Sequence, residues 1–280
     1  MSQLLNTHQT PPTSLLALIR SLRKNWQLIV QMVKREVVGR YKGSFFGLAW
    51  SFFNPILMLT IYTFVFSVVF KAKWGVGSDE GKAQFALTLF VGLIIFNLFS
   101  EAINRAPNLI LGNVNYVKKV VFPLEILPVI SMGASLFHAL ISLFVLIGGM
   151  IIFNGLVSWT AILMPLIFIP LIFLILGLSW ILASLGVYMR DVGQTIGMLT
   201  LVLMFLSPVF YSINALPPRF QFWMMLNPLS FIIEQARVVL IQGQMPNWDL
   251  LGIYTLGALV FMWCGYAWFQ KTRKGFADVL

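Results

Sequence analysis

Charge is scarce in this 280-residue chain. Asp, Glu, Lys and Arg make up 10% of it, where a soluble domain carries about 25%. Hydrophobic residues make up 59% and the mean hydropathy is +0.88, so the composition excludes a soluble fold and leaves an integral membrane protein. Cysteine is almost missing. Cys264 is the only one, so no internal disulfide can form, and in its apolar run a thiol is expected to pack as a small hydrophobe. With two histidines, His8 and His138, there are too few ligands to expect a metal site. No signal peptide is expected either, because Met1 to Ser14 is polar, carries prolines and leads into no short apolar core. A Walker A loop is also lacking. The nearest text, GSDEGKA at 77–83, has its glycines one residue too close and places Ala83 where a hydroxyl would hold magnesium. ATP hydrolysis by this chain alone is therefore not expected.

What charge there is has one sign. The formal net charge is +10 and the pI about 10.0. In a soluble protein this balance would suggest nucleic acid. Here the Lys and Arg gather at the ends of apolar runs, which points to membrane topology and contact with anionic lipid.

The chain reads as a flexible N-terminus (1–14), an amphipathic helix (15–39), a transmembrane domain (40–270) and a tail (271–280). In the amphipathic stretch Leu15, Leu18, Ile19, Leu22, Trp26, Ile29, Val33 and Val37 recur in steps of three and four, opposite Arg20, Arg23, Lys24, Lys34 and Arg35. Such a helix suits the headgroup plane. A crossing helix needs about 20 apolar residues. Six spans are expected, at 47–70, 85–103, 128–153, 161–188, 192–211 and 250–269. The apolar region 217–241 is cut by Asn227-Pro228 and carries Glu234 and Arg237, three apart and able to pair. With six spans and both termini cytoplasmic, fourteen of the 19 Lys and Arg lie inside. A seventh full span would put the Lys271–Lys274 cluster outside. The positive-inside rule thus favours six spans and a re-entrant hairpin on the outer side.

The passage into the first span, RYKGSFFGLAWSFFNP at 40–55, holds a basic foot, a glycine hinge at Gly43, an aromatic cluster and an Asn54-Pro55 break. Broken membrane helices usually line a protein-buried or wet cavity. Elsewhere chemistry is sparse. His138 stands in an apolar run with no carboxylate at helical spacing and is expected to pack as a neutral residue. Glu101 and Glu125 could pair with Arg105 or with Lys118 and Lys119. The loop 104–123 is too polar to span and too apolar to be a solvated linker; it is expected to dock on a protein surface or to lie on lipid.

These features resemble the permease subunit of ABC type-2 polysaccharide exporters. The resemblance rests on KREVVGRYKGSFFGLAWSFFNPIL at 34–57, NLILGNVNYVKKVVFPLEILP at 108–128, YMRDVGQ at 188–194 and LPPRFQFWMMLNPLSFIIE at 216–234. The aromatic-rich first span looks most like O-antigen permeases. The resemblance implies an all-α ABC type-2 transporter fold in the bacterial inner membrane. It also implies a homodimer working with two copies of an ABC ATPase that binds ATP and magnesium, no cofactor on this chain, and a lipid-linked glycan as cargo. By the same resemblance, Asn113, Asn115, Tyr116, Val117, Lys118 and Lys119 form an ATPase-coupling helix. Lys34, Arg35 and Glu36 then form a second ATPase contact, spans one, two and five line the conduit, and the hairpin sits at its outer mouth. Within that picture Trp50, Phe53, Tyr62 and Tyr211 are conduit candidates, since aromatic rings suit the C–H faces of sugars. Arg40, Tyr41 and Lys42 serve equally well as contacts for an anionic lipid headgroup or, for the two cations, as topology anchors. A membrane-embedded enzyme would need His, Asp or Arg clustered at one face, and only Arg190-Asp191 is adjacent. An ion-coupled transporter should show midplane carboxylates, and none is evident.

Overall fold

The computed structural model describes residues 12–65, 82–118, 122–155 and 157–280, and every regular element among them is helical. Among the described residues, five helical segments are long and apolar enough to cross a membrane.

Two helices, α1 (Leu15–Lys24) and α2 (Trp26–Tyr41), replace the single amphipathic helix expected at 15–39. Ser14 caps α1 by accepting from Ala17 N at 3.3 Å, and Arg23 and Lys24 occupy the last turn, where positive charge suits the helix dipole. The break has a local cause. Asn25 turns its side-chain amide back to donate to the Ser21 carbonyl at 2.8 Å, competing with the backbone ladder.

The chain turns at Gly43, whose φ of +87° favours glycine, and passes through a 3-10 turn at Gly47–Ala49 into α3 (Trp50–Phe64). The expected Asn54-Pro55 break is corrected, because α3 runs unbroken through Pro55. The proline lies past the first turn, where it removes the bond to the Ser51 carbonyl and crowds that oxygen without ending the helix. Residues 66–70 of the expected first span, and 77–81 of the glycine-bearing loop, lie outside the described residues.

The central helix is α4 (Lys82–Arg105), buried along most of its length, whereas α3 is largely exposed. It packs against α3, α6 (Ile126–Asn154), α7 (Met164–Tyr188), α8 (Val192–Leu206) and α10 (Pro228–Leu240). A short helix, α5 (Val114–Lys118), lies between α4 and α6. The fifth expected span, 192–211, is shorter in the structure. α8 has 15 residues and stops where Ser207 turns extended ahead of Pro208, as a residue before proline prefers.

The ambiguous region 217–241 forms two short helices, α9 (Pro218–Leu226) and α10, split at Asn227-Pro228. Asn227 caps α10 by accepting from Leu229 N at 2.9 Å, and Pro228 takes the first position, where its missing N–H costs nothing. Arg237 pairs with Glu234 at 2.8 Å as its spacing suggested. The same buried guanidinium donates to the Thr88 and Val209 carbonyls, tying α10 to the start of α4. α2 instead meets the end of α4 through Arg40–Glu101 and Glu36–Arg105, so α10, with α9 packed on it, lies at the opposite end of the bundle from α2. The last helices are α11 (Trp248–Thr272), packed along α7, and α12 (Phe276–Val279), whose Phe276 is fully buried. Cys264 is exposed on α11 rather than packed.

Candidate functional site

At the basic end of the bundle α2, α3, α4 and α6 enclose a cleft of about 420 Å³. Two helices supply facing polar stripes: Asn97, Glu101 and Asn104 from α4, and Ser135, His138 and Ser142 from α6. Steps of three and four put each set on one helix face. Ser51, Asn54 and Pro55 of α3 form a third wall. Pro55 cannot supply the helical donor for the Ser51 carbonyl, and both residues line the cleft although the helix does not break.

Glu101 is the hub of the cleft. Arg40 Nη1 donates to Glu101 Oε1 at 2.7 Å, Arg105 stands 3.8 Å from the same oxygen, and His138 Nδ1 lies 3.1 Å away. Arg40 Nη1 also reaches His138 Nδ1 at 2.8 Å, and the Tyr41 hydroxyl lies 3.2 Å from Nε2. A neutral imidazole carries one ring proton. Nδ1 can accept from Arg40, with Nε2–H donating to Tyr41, or donate to Glu101 while Nε2 accepts from the Tyr41 hydroxyl; it cannot do both. The expectation that His138 packs without a carboxylate partner is therefore corrected. Its partner comes from α4, 37 residues away, where spacing along its own helix could not reveal it.

A second cavity of about 440 Å³ adjoins the first, with Asn104 lining both. Arg35, Glu36, Arg105 and Asn113 line it. Arg105 pairs with Glu36 at 2.5 Å. Burial outweighs the pull of Arg105 and holds the Glu36 carboxyl above its ordinary value; burial likewise raises the Tyr41 phenol. Arg35 donates to the Tyr116 hydroxyl at 3.3 Å, and the Tyr116 ring stacks on Phe122 at 4.4 Å.

The structure thus brings two of the sequence-derived sets together. Arg35 and Glu36 of α2 meet Asn113 and Tyr116, with Val117 packed against the core and Lys34, Asn115 and Lys118 exposed beside them. Lys118 Nζ donates to the Leu280 carbonyl, whereas Lys119 lies outside the described residues. Arg40 and Tyr41 line the cleft; Lys42 is exposed and makes no ion pair among the described residues. Trp50 and Phe53 meet edge to face at 6.2 Å, with Phe46 against both. Tyr62 instead packs against the core, and Tyr211 lies after α8, its hydroxyl donating to the Phe205 carbonyl at 3.0 Å. The sequence reading missed Glu101, His138 and Ser135 as one site. The signal was present as polar residues in steps of three and four within apolar runs, visible only once two helices are laid face to face.

The profile of the ABC-2 type transporter family matches residues 27–241. The chain belongs to that family. Its relatives include the O-antigen export system permease protein RfbA of Myxococcus xanthus, 26% identical over 94% of this chain and 99% of the relative. A protein of the same name from Klebsiella pneumoniae is 25% identical over 91% and 95%. The capsule polysaccharide export inner-membrane protein CtrC of Neisseria meningitidis serogroup B is 24% identical over 91% and 94%. The cleft, the second cavity and the Arg35–Tyr116 contact all fall within the matched region.

Proposed function

We propose that this ABC-2 chain is the membrane permease of an exporter that moves a lipid-linked polysaccharide of the O-antigen kind across the bacterial inner membrane. A separate ATPase subunit binds ATP and magnesium and hydrolyses the nucleotide. The observation that carries this reading is the end-to-end match to permeases named for polysaccharide export. Local geometry supports the division of labour. α2 and the 113–118 segment converge through Arg35 and Tyr116 into one surface, which suits docking of the ATPase. The finer picture is a homodimer with two ATPase copies, both termini cytoplasmic, six crossings and α9–α10 re-entering from the outer side. The placement of α9–α10 opposite α2 supports that orientation.

The test is complementation. In a strain lacking its own O-antigen export permease, the chain and its ATPase partner should restore surface glycan, and a hydrolysis-dead partner should not. Restoration of capsule alone would move the cargo to the capsule class. Robust nucleotide hydrolysis by the isolated, contaminant-free chain would overturn the subunit assignment. For topology, Arg219→Cys and Gln244→Cys in a Cys264→Ala background should react with an impermeant maleimide from the periplasm, and Lys274→Cys should not. Labelling of Gln244→Cys only from the cytoplasm would sink the outer hairpin.

A further inference from the structure

We propose that the cleft between α3, α4 and α6 is a phosphate-binding subsite, in which Arg40 exchanges its bond to Glu101 for one to a phosphate ester. Glu101 acts as the built-in competitor. The inference rests on the exporter reading only for which phosphate-bearing lipid occupies the cleft in the cell.

Four observations lead to it. First, Ser135 lines the cleft, is buried, and its hydroxyl has no hydrogen-bond partner among the described residues. Buried polar atoms are nearly always partnered, so an unpaired hydroxyl on a residue of the cleft wall is a bond that a polar ligand can supply. Second, Arg40 is the reachable cation: its side chain is 48% exposed, whereas Glu101 is 19% and His138 15% exposed. Its planar fork matches a phosphate ester. Third, Arg40 can leave without orphaning a charge. Glu101 keeps Arg105 at 3.8 Å and His138 Nδ1 at 3.1 Å. The imidazole then takes the tautomer with its proton on Nδ1, donating to Glu101, while the Tyr41 hydroxyl donates to Nε2. Every group in the network keeps a partner in both states, so the usual penalty for an uncompensated buried charge does not arise. Fourth, the remaining walls are rich in neutral donors, Asn54 and Asn97 among them, which can bond a phosphate without adding charge.

The exchange has a mechanical consequence. Arg40 is the ion-paired link between the end of α2 and α4 within the cleft, and α2 carries Arg35 onto Tyr116 five residues earlier. Phosphate in the cleft therefore releases one of the two ion pairs that join α2 to α4, leaving Glu36–Arg105 in place beside the 114–118 segment.

The test measures binding to the purified full chain in detergent. The probe is dioctanoyl phosphatidic acid, a phosphomonoester lipid, with the phosphatidylcholine of the same chains as control. Phosphatidic acid should bind more tightly than phosphatidylcholine. Arg40→Gln should weaken it about tenfold, and Glu101→Gln should tighten it by a similar factor, the scale of one charge-assisted bond gained or lost. A residue with a purely structural role would not give that opposite sign. Where Glu101→Gln fails to fold, Ser135→Ala decides, since it removes one buried hydroxyl and should weaken phosphatidic acid alone. Inorganic pyrophosphate separates the sources: competition with phosphatidic acid shows that the anion suffices, and failure to compete shows that the acyl chains are needed. Equal binding of the two lipids, or Glu101→Gln and Ser135→Ala both without effect, would overturn the subsite. Glycan export is scored separately. Loss of lipid selectivity with export intact removes only the subsite, whereas selective binding without any export removes the exporter reading and leaves the subsite standing.

Discussion

Arg273 donates to Glu125 Oε2 at 2.9 Å, joining the end of α11 to the turn that opens α6 across 148 residues of chain. The same guanidinium donates to the Phe122 carbonyl at 3.1 Å. Ser21 of α1 donates to the other carboxylate oxygen at 2.8 Å, and Trp180 of α7 donates to the Glu125 carbonyl at 3.0 Å. Four separate segments thus meet at one nearly buried acid. Because Phe122 stacks on Tyr116, the bridge also helps to fix the segment that faces Arg35.

Arg273→Ala leaves the Glu125 carboxylate with Ser21 alone. Breaking a pair this buried should cost about 3 kcal/mol. The expected result is a lower melting temperature in detergent, followed by tryptophan fluorescence. Arg273→Lys should recover only part of the loss, since a point charge cannot span both the carboxylate and the Phe122 carbonyl. Equal melting of Arg273→Ala and the parent would show that the bridge contributes nothing.

Close backbone approach makes a second prediction. A Cβ on Gly186 would lie 2.0 Å from the Pro107 carbonyl oxygen, and one on Gly265 would lie 2.3 Å from the Gly177 oxygen. Membrane helices depend on small residues for such contacts. Backbone atoms cannot swing aside, so Gly186→Ala and Gly265→Ala should each abolish a monodisperse peak on size exclusion. Gly252 of the same α11 has open space around it. Gly252→Ala should be tolerated and should gain up to about 1 kcal/mol of helix propensity.

The Glu36 carboxyl gives a pH dependence. Burial raises its folded value above the ordinary 4.5. A raised folded value means that the folded chain holds this proton more tightly than the unfolded chain. The stabilisation it adds is fully present below 4.5 and is lost as pH rises through the raised value. Thermal stability should therefore climb, from this group, as pH falls from neutrality into that window. Glu36→Gln should remove that part of the slope. An unchanged slope would place the titration elsewhere.

How much of this was legible in the sequence depends on the range of the interaction. Helix placement and caps are local, and Ser14, Asn227-Pro228 and Gly43 could be read from a few neighbouring residues. The Arg237–Glu234 pair is three residues apart and was equally visible. The split of the N-terminal helix was missed because Asn25 is an ordinary polar residue until its side chain turns back on Ser21. The end of α8 was missed because apolarity continues past Ser207 while the backbone does not continue helically. The cleft was missed for a different reason. Arg40, Glu101 and His138 come from three helices, and Glu125 was given Lys118 or Lys119 as a partner because they are near in sequence, whereas the fold supplies Arg273.

The aromatic residues at the start of α3 make the last prediction. At about 100° per residue Trp50 and Phe53 share a face, and Tyr62 falls near 180° from Phe53. The structure agrees with that geometry: Trp50 and Phe53 meet edge to face and stay 37% and 49% exposed, while Tyr62 packs against the core. Pro55 lies between them, and α3 continues helically through it. A sugar polymer passing α3 could then touch the Trp50 and Phe53 rings but not Tyr62 on the same side. Trp50→Ala and Phe53→Ala should each reduce surface glycan at matched permease abundance, with little change in melting temperature. Tyr62→Ala should lower abundance and stability, with export falling only in proportion. The measurement is surface glycan by antibody, divided by permease amount on immunoblot. If Trp50→Ala and Phe53→Ala also lose export only in proportion to protein, the two rings are packing residues and the glycan takes another path.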